Sequence, residues 1–302
     1  MTNEISLFVN PTAGRGRGAG AALPAARVLR DAGYVVRSVV GTDAADALRR
    51  AREAVAAGTG ALVAVGGDGM TSLALQATAG TGTPLGMVAI GTGNDIARAC
   101  GLPLRDPVAA ARLIAEALKG GHTRAVDLGR TGRTWFGSVL ASGFDSRVND
   151  RGNRMRWPAG RLRYDLAMLA ELAGLRPIPY RLRLDDGPWQ EFEAVLVAVG
   201  NGQSYGGGMR ICPGARLDDG RFDITVVEAC GRATLLRVFP RVYRGTHTGH
   251  PRVSVLRAAR VVLQADGVTG YADGEPLGPL PLTAECVPAA VQVLAPAPEP
   301  SP

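Results

Sequence analysis

The fold is decided by residues 61–69, which read ALVAVGGDG. The unbroken apolar run from Ala61 to Val65 is typical of a buried parallel strand. The glycines after it allow a backbone to pass close to a phosphate, and a helix predicted from Thr71 to Ala79 would offer unpaired N–H groups to an anion. An ordinary tight turn explains GGDG equally well, so the surrounding sequence has to decide between the two interpretations.

A second glycine-rich turn follows the next predicted strand. Residues 91–95 read GTGND and come directly after the apolar run from Leu85 to Ile90. The carboxyl ends of parallel strands share one edge of a sheet, and open α/β sheets bind ligands there. Alternatively, Asn94 or Asp95 only caps the helical segment that starts at this point. A third turn follows the first predicted strand, where residues 10–18 read NPTAGRGRG, and the three turns together predict a polyphosphate site.

Strands and helices alternate through the first 120 residues, which predicts an α/β nucleotide-binding domain with a mostly parallel sheet. Beyond Arg124 the apolar runs come with few helices between them, so a β-rich sandwich domain is expected. There, Thr134 to Ala141 is predicted as one strand, with helices near Leu162–Ala173 and Ala233–Tyr243. We place the first domain at residues 1–125, the second at 126–282, a segment of about 283–295 as a candidate for packing back on the first, and a disordered Pro-rich tail at 296–302.

Composition excludes several other chemistries. The chain has 302 residues and a net charge of +7, yet Lys119 is its only lysine. A P-loop with its GKS or GKT ending is therefore absent, and any phosphate must be held by arginine, backbone N–H groups or a metal. The four cysteines and three histidines lack zinc-binding spacing. The N-terminus does not read as a signal peptide, and no apolar run approaches the roughly 18 residues that span a bilayer, so a cytoplasmic location is expected.

The order of the motifs resembles the catalytic domain of the diacylglycerol kinase and sphingosine kinase family, most of all the bacterial soluble lipid kinases. GGDG alone is shared with NAD kinases and phosphofructokinases, whereas its combination with GTGND, YGGG and a late DGE is more specific. The motifs run across nearly the whole chain: Asn10-Pro11 with Gly14, Gly66–Gly69, Gly91–Asp95, Ser142–Asp145, Gly200–Gly202, Tyr205–Gly208, Pro213–Ala215, Asp218–Gly220 and Asp273–Glu275.

The resemblance implies a phosphofructokinase- or NAD kinase-like nucleotide domain, a β-sandwich domain and an active site in the cleft between them. It implies that Glu275, with Asp273 beside it, is the base that takes the proton of a lipid hydroxyl. It also implies a Mg²⁺ site at Asp219 with the main-chain oxygens of Arg216 and Arg221. The ATP-binding residues implied are Asn10, Pro11, Gly14, Thr42, Gly66, Gly67, Asp68, Gly69, Met70, Thr71, Ser72, Gly91, Thr92, Gly93, Asn94 and Asp95.

The chain departs from the family pattern directly after GGDG. The family continues with Thr and, soon after, Asn-Glu, whereas this chain reads Met70-Thr71-Ser72-Leu73. Thr71 is a candidate for the missing hydroxyl, displaced by one position. The departure bears on the contacts to adenine and phosphate.

The motifs therefore favour an ATP- and Mg²⁺-dependent lipid kinase that phosphorylates diacylglycerol; phosphatidylglycerol and ceramide-like lipids are alternative acceptors. Two other hypotheses stay open: an NAD kinase-like enzyme with a soluble substrate, and a nucleotide-binding regulatory protein without turnover. Nucleic-acid binding is set aside despite a pI near 9.7, because no such motif occurs and aromatic residues make up only 5%.

A lipid acceptor predicts peripheral contact with an anionic membrane surface. The segment from 147 to 163 is rich in arginine and includes an aromatic residue that suits a membrane interface. A solvated charged face explains it as well, and a homodimer is a further possible partner. The residues are Arg147, Arg151, Arg154, Met155, Arg156, Trp157, Arg161 and Arg163.

Overall fold

The computed structural model describes residues 2–9, 17–155 and 161–296, and only the backbone of 17–19, 153 and 161–165. Contacts divide the chain into two compact units, one of Met1–Leu128 with Val287–Pro302 and one of Gly129–Cys286. The elements up to residue 120 are β1 (Glu4–Val9), α1 (Arg17–Asp31), β2 (Val35–Val39), α2 (Ala44–Ala56), β3 (Ala61–Gly66), α3 (Asp68–Thr78), β4 (Leu85–Ala89), α4 (Asp95–Ala99) and α5 (Pro107–Gly120).

The remaining elements are mostly strands. They are β5 (Thr123–Thr131), β6 (Thr134–Phe136), β7 (Val139–Gly143), α6 (Phe144–Arg154), α7 (Arg161–Ala173), β8 (Ile178–Leu184), β9 (Gln190–Gly200), β10 (Phe222–Glu228), α8 (Arg232–Val242), a 3₁₀ turn (His247–Gly249), β11 (Val253–Ala258), β12 (Arg260–Gln264), β13 (Thr269–Ala272), β14 (Glu275–Pro279) and β15 (Leu282–Leu294).

The first unit has the predicted parallel sheet. Strands β2, β1, β3 and β4 pair in that order, all in parallel, and Val293 of β15 aligns with Leu85 of β4. Every residue of β3 and β4 is buried, which explains their unbroken apolar sequence. Leu29 of α1 and Ile114 of α5 join the apolar core formed with β1 and β3, while α2 and α3 pack against each other and against β3. The sheet therefore brings the turns after β3 and β4 to one edge.

The second unit is an antiparallel β-sandwich, as predicted. Strand β9 pairs with β7, β8 and β10; β8 pairs with β12, β10 with β11, and β13 with both β7 and β14. Along β8, residues Ile178, Tyr180 and Leu182 are buried and alternate with exposed ones, so one face of the strand meets the core. The stacked rings of Phe136 and Phe222, with centroids 5.8 Å apart, lie in the same core.

Two features of the second unit differ from the sequence prediction. The predicted strand from Thr134 to Ala141 is broken at Gly137 and Ser138, because the backbone N–H groups of these two residues are bound by the carboxylate of Asp273. Helix α6 was not predicted, since its sequence is mostly polar. In the part of the chain that the structure describes, no helix combines the length and the apolar character needed to cross a bilayer.

Candidate functional site

Asp68 joins the two glycine-rich turns of the first unit. It is the first residue of α3, and its two carboxylate oxygens accept hydrogen bonds from the backbone N–H groups of Asn94 and Asp95, both at 2.7 Å. It thereby caps the N-terminus of α4 from another part of the chain, 26 residues away. Burial raises the pKa of Asp68, and its two backbone donors partly offset that effect. Asp68 therefore holds the turns in place.

The glycines of both turns are needed for the packing of one turn against the other. A Cβ on Gly91 would lie 2.6 Å from the Cα of Gly67, and one on Gly93 would lie 2.2 Å from Oδ2 of Asp68. Gly69 differs, since a Cβ there would meet nothing within 4 Å. Of these glycines, Gly69 is the one beside which the protein itself leaves space for a ligand.

Asn94 fixes the shape of the second turn. Its backbone adopts a left-handed conformation (φ 59°), its Oδ1 accepts from the N–H of Gly91 at 2.9 Å, and its Nδ2 donates to the Gly91 carbonyl at 3.0 Å. The guanidinium groups of Arg98 and Arg105 donate to the carbonyls of Gly93 (2.7 Å) and Thr92 (3.1 Å). The side chain of Asn94 makes no cap of α4, so the simple capping interpretation of this residue is wrong.

Three of the predicted ATP-binding residues are exposed: Gly69, Thr92 and Thr42. Helix α3 begins after Gly67, which provides no side-chain cap. Unpaired N–H groups at such a helix start suit a phosphate. The hydroxyl and backbone N–H of Thr42 both donate to Oδ2 of Asp46. The hydrogen bond from the Thr42 N–H makes the largest contribution to holding the pKa of Asp46 well below its usual range.

The residues after GGDG point away from this edge. Met70 is buried, and Thr71 is buried with its hydroxyl 3.4 Å from the carbonyl oxygen of Gly67, to which it donates. The hydroxyl of Thr71 therefore faces its own helix and does not replace the family threonine, while Ser72 is half-buried. Asn10, Pro11 and Gly14 lie outside the described residues.

In the second unit, Asp273 is fully engaged. At the turn between β13 and β14 it has a left-handed backbone (φ 51°), and its carboxylate accepts from the N–H groups of Gly137 (2.8 Å) and Ser138 (2.9 Å) and from the Ser138 hydroxyl. The sequence signal for these partners was a Gly-Ser pair within a strand pattern, which marks a break in the strand.

Glu275 is a second carboxylate, two residues after Asp273 in the sequence. It is exposed at the start of β14, and within residues 2–9, 17–155 and 161–296 its carboxylate has no ion-pair or hydrogen-bond partner. The turn thus presents one carboxylate to solvent while the other is used to hold a neighbouring loop.

The guanidinium group of Arg257 binds Asp219, whose side chain was predicted to hold magnesium. Its Nη2 donates to Oδ2 of Asp219, and its Nε donates to Oδ1 of Asp223 at 3.0 Å. Oδ1 of Asp219 accepts from the N–H of Arg221 at 3.1 Å, and Asp223 is only 4% exposed. Sequence reasoning missed Arg257, which carries no motif and reaches these acids from β11.

Comparison with known proteins decides the family. Residues 4–131 match the diacylglycerol kinase catalytic domain, and residues 138–295 match the YegS C-terminal NAD kinase beta sandwich-like domain. A "Diacylglycerol kinase" of Mycobacterium tuberculosis is 47% identical over 298 residues, 97% of this chain and 95% of that protein. This chain belongs to the diacylglycerol kinase family.

Solved structures agree with the family in fold. A diacylglycerol kinase from Bacillus anthracis has a TM-score of 0.72 at 22% identity, with 97% of each chain covered. An NAD kinase from Archaeoglobus fulgidus in complex with ATP has a TM-score of 0.54 at 13% identity, covering 96% of this chain and 93% of the other. The predicted fold class is confirmed.

The family also implies magnesium; the described acidic side chains form no cluster that would hold the ion, and the site at Asp219 with the main-chain oxygens of Arg216 and Arg221 stays a prediction. Mg²⁺ prefers carboxylate and other oxygen ligands in near-octahedral geometry. Here both oxygens of Asp219 accept N–H donors, and Arg216 pairs with Asp218 at 3.1 Å. Among the residues described, no group of three or more acidic, histidine or cysteine side chains could hold a metal ion. In this member of the diacylglycerol kinase family, a guanidinium group compensates the charge of these acids.

Helix α6 of this family member is held by two tyrosine–aspartate hydrogen bonds. The hydroxyl of Tyr205 donates to Asp145, and that of Tyr271 donates to Asp150. Burial raises the pKa of Asp145 to about 7, so this carboxyl keeps its proton well above the usual range. The GFD and YGGG motifs, noted in the sequence only as family features, are thus in direct contact.

Proposed function

We propose that this protein is an ATP-dependent lipid kinase that transfers the γ-phosphoryl group of ATP to the hydroxyl of diacylglycerol, giving phosphatidic acid and ADP. Family membership supports a kinase. The choice of diacylglycerol rests on the name of the relative that is 47% identical. The observation that carries the proposal is the pairing of an engaged Asp273 with an exposed, unpartnered Glu275 among the described residues.

Phosphoryl transfer depends mainly on positioning and on neutralising charge. ATP enters with Mg²⁺ as part of the substrate. In our proposal the start of α3 binds phosphate through the backbone beside Gly69, while Asp68 and Asn94 keep the two turns in the required shape. Binding by backbone N–H groups agrees with a chain that contains one lysine.

Glu275 is proposed as the proton acceptor. An alcohol has a pKa far above that of a carboxylate, so the proton passes to Glu275 late, as the hydroxyl oxygen bonds to the γ-phosphorus and the bond from that phosphorus to the bridging oxygen of ADP breaks. Asp273 is proposed to act as a positioning residue: by binding Gly137 and Ser138 it fixes the turn from which Glu275 projects.

The test is a transfer assay with radiolabelled ATP. Purified protein is incubated with [γ-³²P]ATP and, separately, dispersed diacylglycerol, phosphatidylglycerol, ceramide, NAD or no acceptor. We expect labelled phosphatidic acid and much less label on the other acceptors. Label on NAD alone would support the soluble-substrate alternative, and ATP binding without transfer to any acceptor would support a regulatory protein. Either result would contradict the proposal.

A further inference from the structure

Helix α8 has an apolar stripe that the second unit does not cover. Leu235, Val238 and Val242 are buried in the core beneath the helix. On another face, at spacings of three and four residues, lie Leu236 (56% exposed), Phe239, Pro240 and Tyr243 (48% exposed). Helical spacing of this kind places these side chains in one row along the surface. Monomeric soluble proteins seldom expose such rows without a binding partner.

A row of arginines lies directly beside the apolar stripe. Arg237, Arg241 and Arg244 follow the same three- and four-residue spacing, and Arg232 precedes them in the first turn of α8. All four are exposed, and residues 231–246 contain no acidic residue. Within the part of the chain that the structure describes, the guanidinium groups of these four arginines have no ion-pair or hydrogen-bond partner. The helix therefore presents uncompensated positive charge next to apolar side chains.

The arginines of α6 are in a different situation. Arg151 is paired with Glu171 at 2.5 Å, and Arg154 lies 4.0 Å from Asp150. Arg156 and Trp157 lie outside the described residues, as do the side chains of Arg161 and Arg163. Of the three arginines of that segment whose side chains the structure describes, two lie beside acidic partners and Arg147 is half-buried, whereas the four arginines of the α8 surface are exposed without such partners.

We propose that α8 with the two residues after it, from Arg232 to Arg244, is the surface through which this protein docks on an anionic lipid bilayer. The proposal rests on the proposed function, since a lipid acceptor has to be reached in a membrane. A helix that lies in a membrane interface combines an apolar face with flanking arginines or lysines. Tyrosine suits such a position because its ring is apolar and its hydroxyl is polar. The rings of Phe239 and Tyr243 pack edge to face, 6.1 Å apart, at the C-terminal end of this stripe.

Charge and apolarity together favour a membrane over the other candidate partners. A second copy of the same surface would bring four arginines against four arginines across a two-fold axis, which is repulsive. A nucleic acid would satisfy the arginines and leave the row with Leu236 exposed. A bilayer with anionic headgroups satisfies both rows at once, with each basic residue near the surface strengthening binding by about fivefold.

The test is sedimentation with vesicles of phosphatidylcholine and phosphatidylglycerol in equal parts. The variant with Arg237→Ala and Arg241→Ala is compared with a matched variant, Arg27→Ala and Arg30→Ala, which removes the same charge from exposed positions of α1. We expect the α8 variant to bind about 30-fold more weakly and the α1 variant to stay within about threefold of the original protein. Leu236→Ser should also weaken binding, and this loss should persist at high salt, which screens only the charges.

A second measurement separates this proposal from the function itself. With a short-chain diacylglycerol dissolved as monomers, the α8 variants should phosphorylate at the original rate, whereas with vesicle-borne diacylglycerol they should be slower. Equal vesicle binding by the α8 and α1 variants, or self-association or RNA binding that depends on Arg237 and Arg241, would overturn the docking proposal. Absence of phosphorylation of any lipid by the original protein would overturn the proposed function, while the vesicle experiment would still decide whether α8 binds bilayers.

Discussion

The glycine-rich edge of the first unit and the turn between β13 and β14 are both held by an aspartate, but they expose chemically different groups. In each, an aspartate binds two backbone N–H groups of a distant loop: Asp68 holds Asn94 and Asp95, and Asp273 holds Gly137 and Ser138. Gly69, directly after Asp68, is exposed, and so is the carboxylate of Glu275, two residues after Asp273.

The difference assigns different chemistry to the two regions. Exposed backbone at a helix start suits an anion, whereas an exposed carboxylate suits a proton or a hydroxyl group. In both motifs the aspartate maintains the local structure. A nearby residue, Gly69 or Glu275, is exposed and available to a ligand. Substitutions in each region test this difference separately.

The largest effect on stability is expected for Gly93→Ala. The added Cβ would lie 2.2 Å from Oδ2 of Asp68, so the turn has to shift and lose the Asp68 bonds. Overpacking of this kind costs about 3 kcal/mol. The free energy of unfolding, measured in urea, checks this.

Gly69→Ala is the matched control. Apart from its chain neighbours and the backbone of its own helix, nothing lies within 4 Å of the added Cβ, so the stability should change by less than about 1 kcal/mol. We expect its affinity for ATP, measured by calorimetry, to fall at least about tenfold, because the added methyl group would occupy the proposed phosphate position. Unchanged ATP affinity in Gly69→Ala would remove this edge as the nucleotide site.

A smaller loss, about 2 kcal/mol, is expected for Arg257→Ala, because it leaves the buried carboxylate of Asp223 without its ion-pair partner. Arg216→Ala is the control: its pair with Asp218 is exposed, and its loss should cost less than about 1 kcal/mol. Addition of EDTA to the original protein should leave the melting temperature unchanged. A drop of several degrees with EDTA would show that a metal ion holds this loop after all.

The smallest effect concerns pH. Because burial raises the pKa of Asp145 to about 7, the folded protein keeps a proton that the unfolded chain loses near pH 4. The stability that this proton contributes is complete below about pH 4 and is lost as the pH rises through 7. Asp145→Asn has no such proton, so its stability relative to the original protein should rise by about 1 kcal/mol between pH 6 and 7. Parallel melting curves across that range would refute the raised pKa.

The fold was largely predictable from sequence because its strands carry local signals. Runs such as Ala61–Val65 and Leu85–Ile90 are apolar throughout, and glycines mark their ends. Helix α6 was not predictable, since its sequence is mostly polar and it is held by hydrogen bonds to Tyr205 and Tyr271 from distant segments. Strand β14 reads EPLGP, and its proline and glycine content indicates a loop.

For the site, the sequence located the motifs but did not show the role of each residue. Asp68 was assigned to ATP binding, since nothing local shows that its backbone partners begin 26 residues further along the chain. The glycine content was interpreted as room for a phosphate, whereas Gly91 and Gly93 serve the contact between turns. Arg257 gives no sequence signal, because an arginine in an amphipathic strand usually faces solvent.

The decisive measurement compares the turnover of Glu275→Gln with that of Asp273→Asn, because one substitution removes an exposed carboxylate and the other a hydrogen-bonded one. We expect Glu275→Gln to keep its melting temperature and ATP affinity while kcat falls by roughly 10²- to 10⁴-fold, and Asp273→Asn to lose stability as well as activity. A Glu275→Gln protein that phosphorylates lipid at the original rate would contradict this expectation.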